Sequence, residues 1–275
     1  MSILDFSNPL IMGILNLTPD SFSDGGLYDP ESAVTRGLGM VAEGADIIDI
    51  GGESTRPEAS RVDAGEQKRR VLQTIEGLRQ RLPGGFPISI DTTLSEVARE
   101  AIEGGADMIN DVSAGRDDPE ILELAASAGV PLVLMHMRGT PETMQQSPRY
   151  GDVVSEVKSF LAERIEAALE AGVREEQLLL DPGIGFGKGK RHNLQLLAAL
   201  QQIGDLGFPL LLGASRKRFM GSLCREEQPE ALLPATCACT ALGVMAGVKV
   251  FRVHDVWQNR QAADVAWAIR AALSG

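Results

Sequence analysis

The stretch LIMGILNLTPDSFSDGG, Leu10 to Gly26, begins as an apolar run and turns polar at Asn16, ending in two glycines. The run Leu10 to Leu15 has the length of a buried strand, and the polar tail has the composition of a loop. Asp29-Pro30 then supplies a capping side chain before a proline that has no N–H to leave unpaired, which predicts a helix start. The unit is therefore strand, loop, helix.

That unit recurs. Apolar runs follow at Asp46 to Ile50, Pro87 to Ile90, Met108 to Ile109, Val130 to Met135, Leu178 to Leu180, Leu210 to Leu212 and Lys249 to Val253, which makes eight candidate strands. Helical spacing lies between them, as in Val71, Leu72, Ile75, Leu78 and Leu82, or Val154, Val157, Leu161, Ile165 and Ala168. Asp63 with Glu66, and Asp118-Pro119, mark helix starts; Gly44, Gly104-Gly105, Gly129 and Gly172 mark stops. Eight alternations in 275 residues predict an α/β fold, a single (β/α)8 TIM barrel forming one domain over residues 1–275. A doubly wound open sheet is the main alternative.

Bulk properties narrow the function. The formal charge is -12, from 26 basic and 38 acidic residues, and no segment gathers basic residues with aromatics, which argues against nucleic acid as a partner. Cys224, Cys237 and Cys239 form no CxxC pair, so neither a disulfide framework nor a thiolate zinc site is expected. Met1 to Asp5 shows no basic segment before an apolar run, and the longest apolar stretch, Ala231 to Val248, is broken by Pro234 and Gly243 and reads as a buried helix. The expectation is a cytoplasmic protein with no membrane partner.

In such a barrel the site lies where the loops leave the C-terminal ends of the strands. The residues there are Asn16; Glu53, Thr55 and Arg56; Asp91; Asn110 and Asp111; His136; Asp181; Ser215 and Lys217; and Arg252 and His254. Capping of the next helix accounts for Asp111 and Asp255. It does not account for Asp91, Asn110 and Asp181, which follow directly on apolar strand residues and point toward the barrel mouth. Carboxylates and an amide gathered there suit a ligand rich in N–H donors, such as a pterin ring.

Gly213-Ala214-Ser215-Arg216-Lys217 leaves the seventh strand and opens a helix, a setting that favours an anion, and the eighth strand adds Arg252 and His254. An anionic substrate group is the inference. His136, between two methionines, reads as a core histidine. The run Asp181 to Lys190 lacks phosphate-loop spacing and reads as a tight, mobile rim loop, with Phe186 either an exposed aromatic at the pocket edge or a staple for the loop.

NLTPDSFSDGG at Asn16 to Gly26, GGESTRP at Gly51 to Pro57, and the later LMHM, LLLDPGIGFGK, ASRKRFMG and FRVHDV resemble the dihydropteroate synthase family from about Ile11 to His254. The resemblance implies a (β/α)8 barrel, a homodimer and a sulfonamide target. It also implies a reaction that joins a dihydropterin diphosphate to 4-aminobenzoate, with Mg2+ accompanying the diphosphate. It further implies that Asp91, Asn110, Asp181 and Lys217 hold the pterin, and that Asn16, Arg252 and His254 meet the diphosphate, Asn16 serving the metal. Phe22, Thr55, Arg56, Pro57, Phe186 and Ser215 would build the 4-aminobenzoate pocket and close it. Glu58, where many members have glycine, and Thr93-Leu94-Ser95, in place of Ser-Lys-Pro, depart from the family pattern.

Rival readings are a barrel that binds methyltetrahydrofolate for methyl transfer, a Schiff-base aldolase built on Lys217, and a catalytically silent pterin-binding paralogue. The apolar helix around Ala238 to Met245 and the C-terminal helix with Val265, Ile269 and Leu273 are candidates for a dimer seam.

Overall fold

The computed structural model describes residues 4–18, 29–54, 61–141, 143–145, 148–226 and 228–273. All eight expected strands form: β1 Leu10–Asn16, β2 Ile47–Gly51, β3 Ile88–Asp91, β4 Met108–Asp111, β5 Leu132–Met135, β6 Leu178–Asp181, β7 Leu211–Leu212 and β8 Val250–Val253. They pair in parallel in the order β6-β5-β4-β3-β2-β1-β8-β7. A parallel bridge between Leu180 and Leu210 joins the two ends of that series and closes the barrel.

Among the described residues, ten α-helices surround it: α1 Pro30–Ala42, α2 Ala64–Arg81, α3 Ser95–Glu103, α4 Glu120–Ala128, α5 Val153–Glu170, α6 Lys190–Ala198, α7 Leu200–Gly204, α8 Arg218–Cys224, α9 Leu233–Met245 and α10 Val256–Leu273. The expected caps hold. Asp29 accepts from the N–H groups of Glu31 and Ser32 before α1, and Asp63 accepts from Glu66 before α2. Asp118 reaches further than its own helix: it accepts from Glu120 at 3.2 Å and also from Ser95 at 2.7 Å. It thereby caps α3, whose own N-cap, Leu94, has no side chain that can do so.

Alternation along the strands sorts the core into two parts. Ile11, Leu15, Ile48, Ile50, Ile90, Leu134, Leu180 and Phe251 face outward and pack with the buried stripes of the helices. Met12, Ile47, Met108, Val133, Leu179, Leu211 and Val250 pack with one another inside the barrel, together with Leu4 and the partly buried Phe6. This inner cluster forms an apolar floor, because side chains two residues apart share a face. One step of two residues further along four of these strands stand Asp49, Asn110, Asp181 and Arg252.

Candidate active site

Above the floor the barrel interior is charged. Asp91 and Asp181 end β3 and β6, Asn110 is the penultimate residue of β4, and all three are buried. The structure brings them together with Arg252 of β8, whose Nη2 donates to Asp91 Oδ2 at 2.6 Å. The same guanidinium donates through Nε to Asp49 Oδ2, also at 2.6 Å, and the Asn110 amide donates to that oxygen at 3.1 Å. Asp49 was missed in the sequence because it sits in mid-strand, inside an apolar run. The available signal was a carboxylate at an inward-facing position of Ile-Ile-Asp-Ile.

Burial pushes the Asp91 carboxyl up, with Asp49, Asp111 and Glu53 adding to the rise and Arg252 opposing it. Asp181 is raised by burial and held back chiefly by the Gly183 N–H, which donates to Oδ1 at 2.7 Å, and then by Lys217. Lys217 precedes α8, and its ammonium lies 3.9 Å from the centre of the Phe186 ring. Burial and the neighbouring Arg252 lower its pKa to about 8, against the pull of Asp181 and Asp91. Among the described residues no carboxylate lies within ion-pair reach of that ammonium.

The cations after β7 and β8 do not all face the mouth. Arg216 adopts φ 55°, a left-handed conformation for a residue with a side chain, and its guanidinium grips Asp255 at 2.7 and 3.0 Å. Its backbone N–H donates to Thr236 Oγ1 at 3.1 Å, so it is not left open to an anion. Asp255, expected to be a helix cap, spends its carboxylate on this pair instead, because Arg216 lies across the loop from it. Ser215 Oγ lies 3.0 Å from His254 Nδ1 and accepts from the His254 N–H at 3.2 Å, so the two loops are tied twice over. Asp111 caps its own turn, accepting from Ser113 and Gly115.

The segment Asp181 to Lys190, expected to be mobile, is pinned from beneath. Lys188 is buried, and its Nζ contacts His136 Nδ1 at 2.8 Å and the carbonyls of Gly183, Phe186 and His136 at 2.8, 3.0 and 3.2 Å. Burial, and then the neighbouring Lys188, hold the His136 imidazole down at about 2, so the ring is neutral, which fits its reading as a core histidine. Gly183 takes φ 67°, and a Cβ there would lie 1.8 Å from the His136 carbonyl oxygen. Only glycine fits that approach. Phe186 is correspondingly buried against Val112, Met135, Met137 and Met144, a staple that also lies under Lys217, not an exposed rim aromatic. The role of Lys188 was hidden in the sequence because its four partners are backbone carbonyls and a histidine more than 50 residues away.

Asn16 ends β1 beside Gly51, half-buried, and its side-chain amide makes no hydrogen bond among the described residues. Phe22, Thr55, Arg56, Pro57 and Glu58 lie outside the described residues.

A closed parallel barrel with two buried carboxylates, an amide and a lysine at its C-terminal mouth defines a class of small-ligand barrel enzymes, and comparison with known proteins specifies the ligand class. Residues 12–254 match the family of pterin binding enzymes. The chain is 46% identical over 260 residues to dihydropteroate synthase of Synechocystis, covering 94% of this chain and 89% of that one. It is 45% identical over 272 residues to the same enzyme of Escherichia coli, covering 98% and 94%. The structure of Xanthomonas albilineans dihydropteroate synthase with 4-aminobenzoic acid superimposes with a TM-score of 0.91 at 47% identity, over 98% of this chain and 95% of that one. The same enzyme in complex with 7,8-dihydropteroate gives 0.88 at 44%, over 98% and 96%. The chain belongs to the pterin-binding enzyme family and, within it, to the dihydropteroate synthases.

Proposed function

We propose that this protein condenses (7,8-dihydropterin-6-yl)methyl diphosphate with 4-aminobenzoate, releasing 7,8-dihydropteroate and diphosphate in folate biosynthesis. The observation that carries this reading is the buried set Asp91, Asn110 and Asp181, with Lys217 near enough for Asp181 and Asp91 to act on its charge. Carboxylates and an amide oxygen accept from the N–H groups of a pterin, and burial makes those bonds count for more than they would in water.

The chemistry follows from the charges. Departure of diphosphate leaves positive charge on the exocyclic carbon and the conjugated ring, and Asp91 and Asp181 favour that charge from below, which supports a dissociative, SN1-like step. Lys217 and Arg252 are the cationic groups nearest the departing anion in this reading, with His254 a further polar neighbour, and electrostatic help of this type contributes strongly to rate in a site shielded from water. The aniline nitrogen is a weak nucleophile, so positioning it beside Ser215 and excluding water complete the task.

The Asn16 amide at the open mouth fits a magnesium ion that takes one protein oxygen and fills its remaining positions with water and phosphate. Among the described residues no cluster of three or more His, Cys, Asp or Glu could hold a metal, so the donor set suits an ion carried in with the diphosphate. Bound there, magnesium supplies charge neutralisation for the leaving group.

Assembly as a homodimer through α9 and α10 is part of the proposal. These helices pack on each other and leave Leu242 at 69%, Val265 at 61%, Ile269 at 53% and Leu273 at 74% exposure, an apolar set that a second copy would cover. Among the described residues no helix is long and apolar enough to cross a membrane.

The test is dihydropteroate formation by Lys217→Ala, Asp91→Asn and Arg252→Ala with both substrates and magnesium. Each is expected to lose at least roughly 100-fold in kcat/KM, the scale of a deleted electrostatic contact in a catalytic site. Turnover near wild type in all three overturns the reading.

A further inference from the structure

Asp49 is an ionisable side chain in the barrel interior with no part in the proposed reaction. It has no exposed surface at all, and it stands one step of two residues along β2 above Ile47 of the apolar floor. An isolated buried carboxylate is costly, and an ion pair in such a place rarely adds stability over an apolar residue of similar size. The neighbouring β2 residues Ile47, Ile48 and Ile50 show that an apolar residue is well suited to this strand.

Its bonding points to its purpose. Asp49 Oδ2 accepts from Arg252 Nε at 2.6 Å and from Asn110 Nδ2 at 3.1 Å. Asp49 Oδ1 and the adjacent Ser89 Oγ, which stand in register across β2 and β3, have no hydrogen-bond partner among the described residues. A carboxylate placed to satisfy the fold would use both oxygens; this one directs a single oxygen at two site residues. We infer that Asp49 is a positioning residue that sets the orientation of both Asn110 and Arg252 for the pterin substrate.

The effect on Asn110 is chemical. An amide can present either its oxygen or its nitrogen, and a carboxylate oxygen that already takes a guanidinium proton can only accept. Asn110 must therefore turn its NH2 inward, which leaves its carbonyl oxygen for an N–H donor of the ligand. The effect on Arg252 is geometric. With Nε held by Asp49, the fork end of the guanidinium remains directed at Asp91, and Asp91 and Arg252 meet the ligand as a pair of fixed register.

The inference rests on the proposed synthase reaction only for the identity of the ligand, and binding measurements separate the two. Asp49→Asn keeps the shape while allowing Asn110 to flip. Calorimetric titration of the protein with dihydropterin diphosphate in the presence of magnesium is expected to show a loss of roughly 10- to 100-fold in affinity, the range for a hydrogen bond to a charged group. KM for 4-aminobenzoate is expected to change less than about threefold, a split that a general loss of structure would not produce. The same substitution made in an Asn110→Ala background is expected to cost several-fold less than in the wild type, since one of its two targets is gone.

Affinity for the diphosphate within twofold of wild type, or full additivity with Asn110→Ala, overturns the inference. Should Asp49→Asn melt too low to titrate, Asp49→Asn with Arg252→Gln removes the buried pair together. That double variant is expected to bind at least threefold more weakly than Arg252→Gln alone, and equal binding overturns the inference. Wild-type protein that binds the pterin diphosphate but forms no dihydropteroate would sink the synthase reading and leave the role of Asp49 standing.

Discussion

Two layers of the same barrel interior stand one step apart and do opposite work. Ile47, Met108, Leu179 and Val250 belong to the floor; Asp49, Asn110, Asp181 and Arg252, each two residues further along the same strands, belong to the site. The strand period of two places both sets on the inner face, so the difference is depth alone. Below, seven strand side chains exclude water and contribute hydrophobic stabilisation. Above, the protein carries buried charges whose desolvation that burial must offset. A site of this kind can exist only because a closed apolar layer lies directly beneath it.

The strongest way to break this comparison is to move a charge one step down. Met108→Asp puts an unpaired carboxylate in the floor and is expected to destabilise the protein by more than about 4 kcal/mol in denaturant unfolding, or to prevent folding. The reverse exchange, Asp181→Leu, is expected to fold with stability near wild type while losing pterin binding. A floor that tolerates aspartate as well as the upper layer does would show that depth is not the deciding variable.

The effect of pH sharpens the same contrast with a smaller signal. The floor does not titrate, whereas the upper layer does at both ends. Burial raises Asp91, so lowering the pH returns its proton and removes an acceptor for the ligand. Lys217, lowered to about 8, loses its charge as the pH rises through that value. Affinity for dihydropterin diphosphate is therefore expected to pass through a maximum and to fall on the alkaline side from about pH 8. In Lys217→Met the alkaline fall should vanish and the acid fall persist; a profile unchanged by that substitution would contradict the assignment.

The smallest expected effect lies outside both layers. Asp118→Ala removes the carboxylate that caps α3 through the Ser95 N–H and is expected to cost about 1 kcal/mol in unfolding free energy. Pterin affinity should stay unchanged, because the cap acts on a helix outside the barrel.

Much of the fold was legible because it rests on local pattern. Each of the eight apolar runs became a strand, and Asp29 and Asp63 cap the helices they precede, since a strand length and a cap are decided by a few neighbouring residues. Asp91, Asn110 and Asp181 were legible for a related reason: a polar residue at the end of an apolar run stands out. Asp49 did not stand out, because the inward and outward faces of a short buried strand cannot be told apart when both are apolar. Lys188 read as a loop residue, and Arg216 as part of an anion site. Their partners, His136 and Asp255, lie 52 and 39 residues away along the chain.

The sequence by itself determined the alternation of strands and helices, the family, and the residues offered at the strand ends, because these follow from periodicity and from motifs contiguous in the chain. Only the tertiary structure decided which cations face the mouth and which are consumed by carboxylates. It also decided that the Asp181 to Lys190 segment is clamped and that Arg252 is shared between Asp49 and Asp91. The reason is physical: hydrogen bonds and ion pairs form between groups that closure of the barrel brings within about 3 Å, and that proximity is set by strand register and depth, not by distance along the chain.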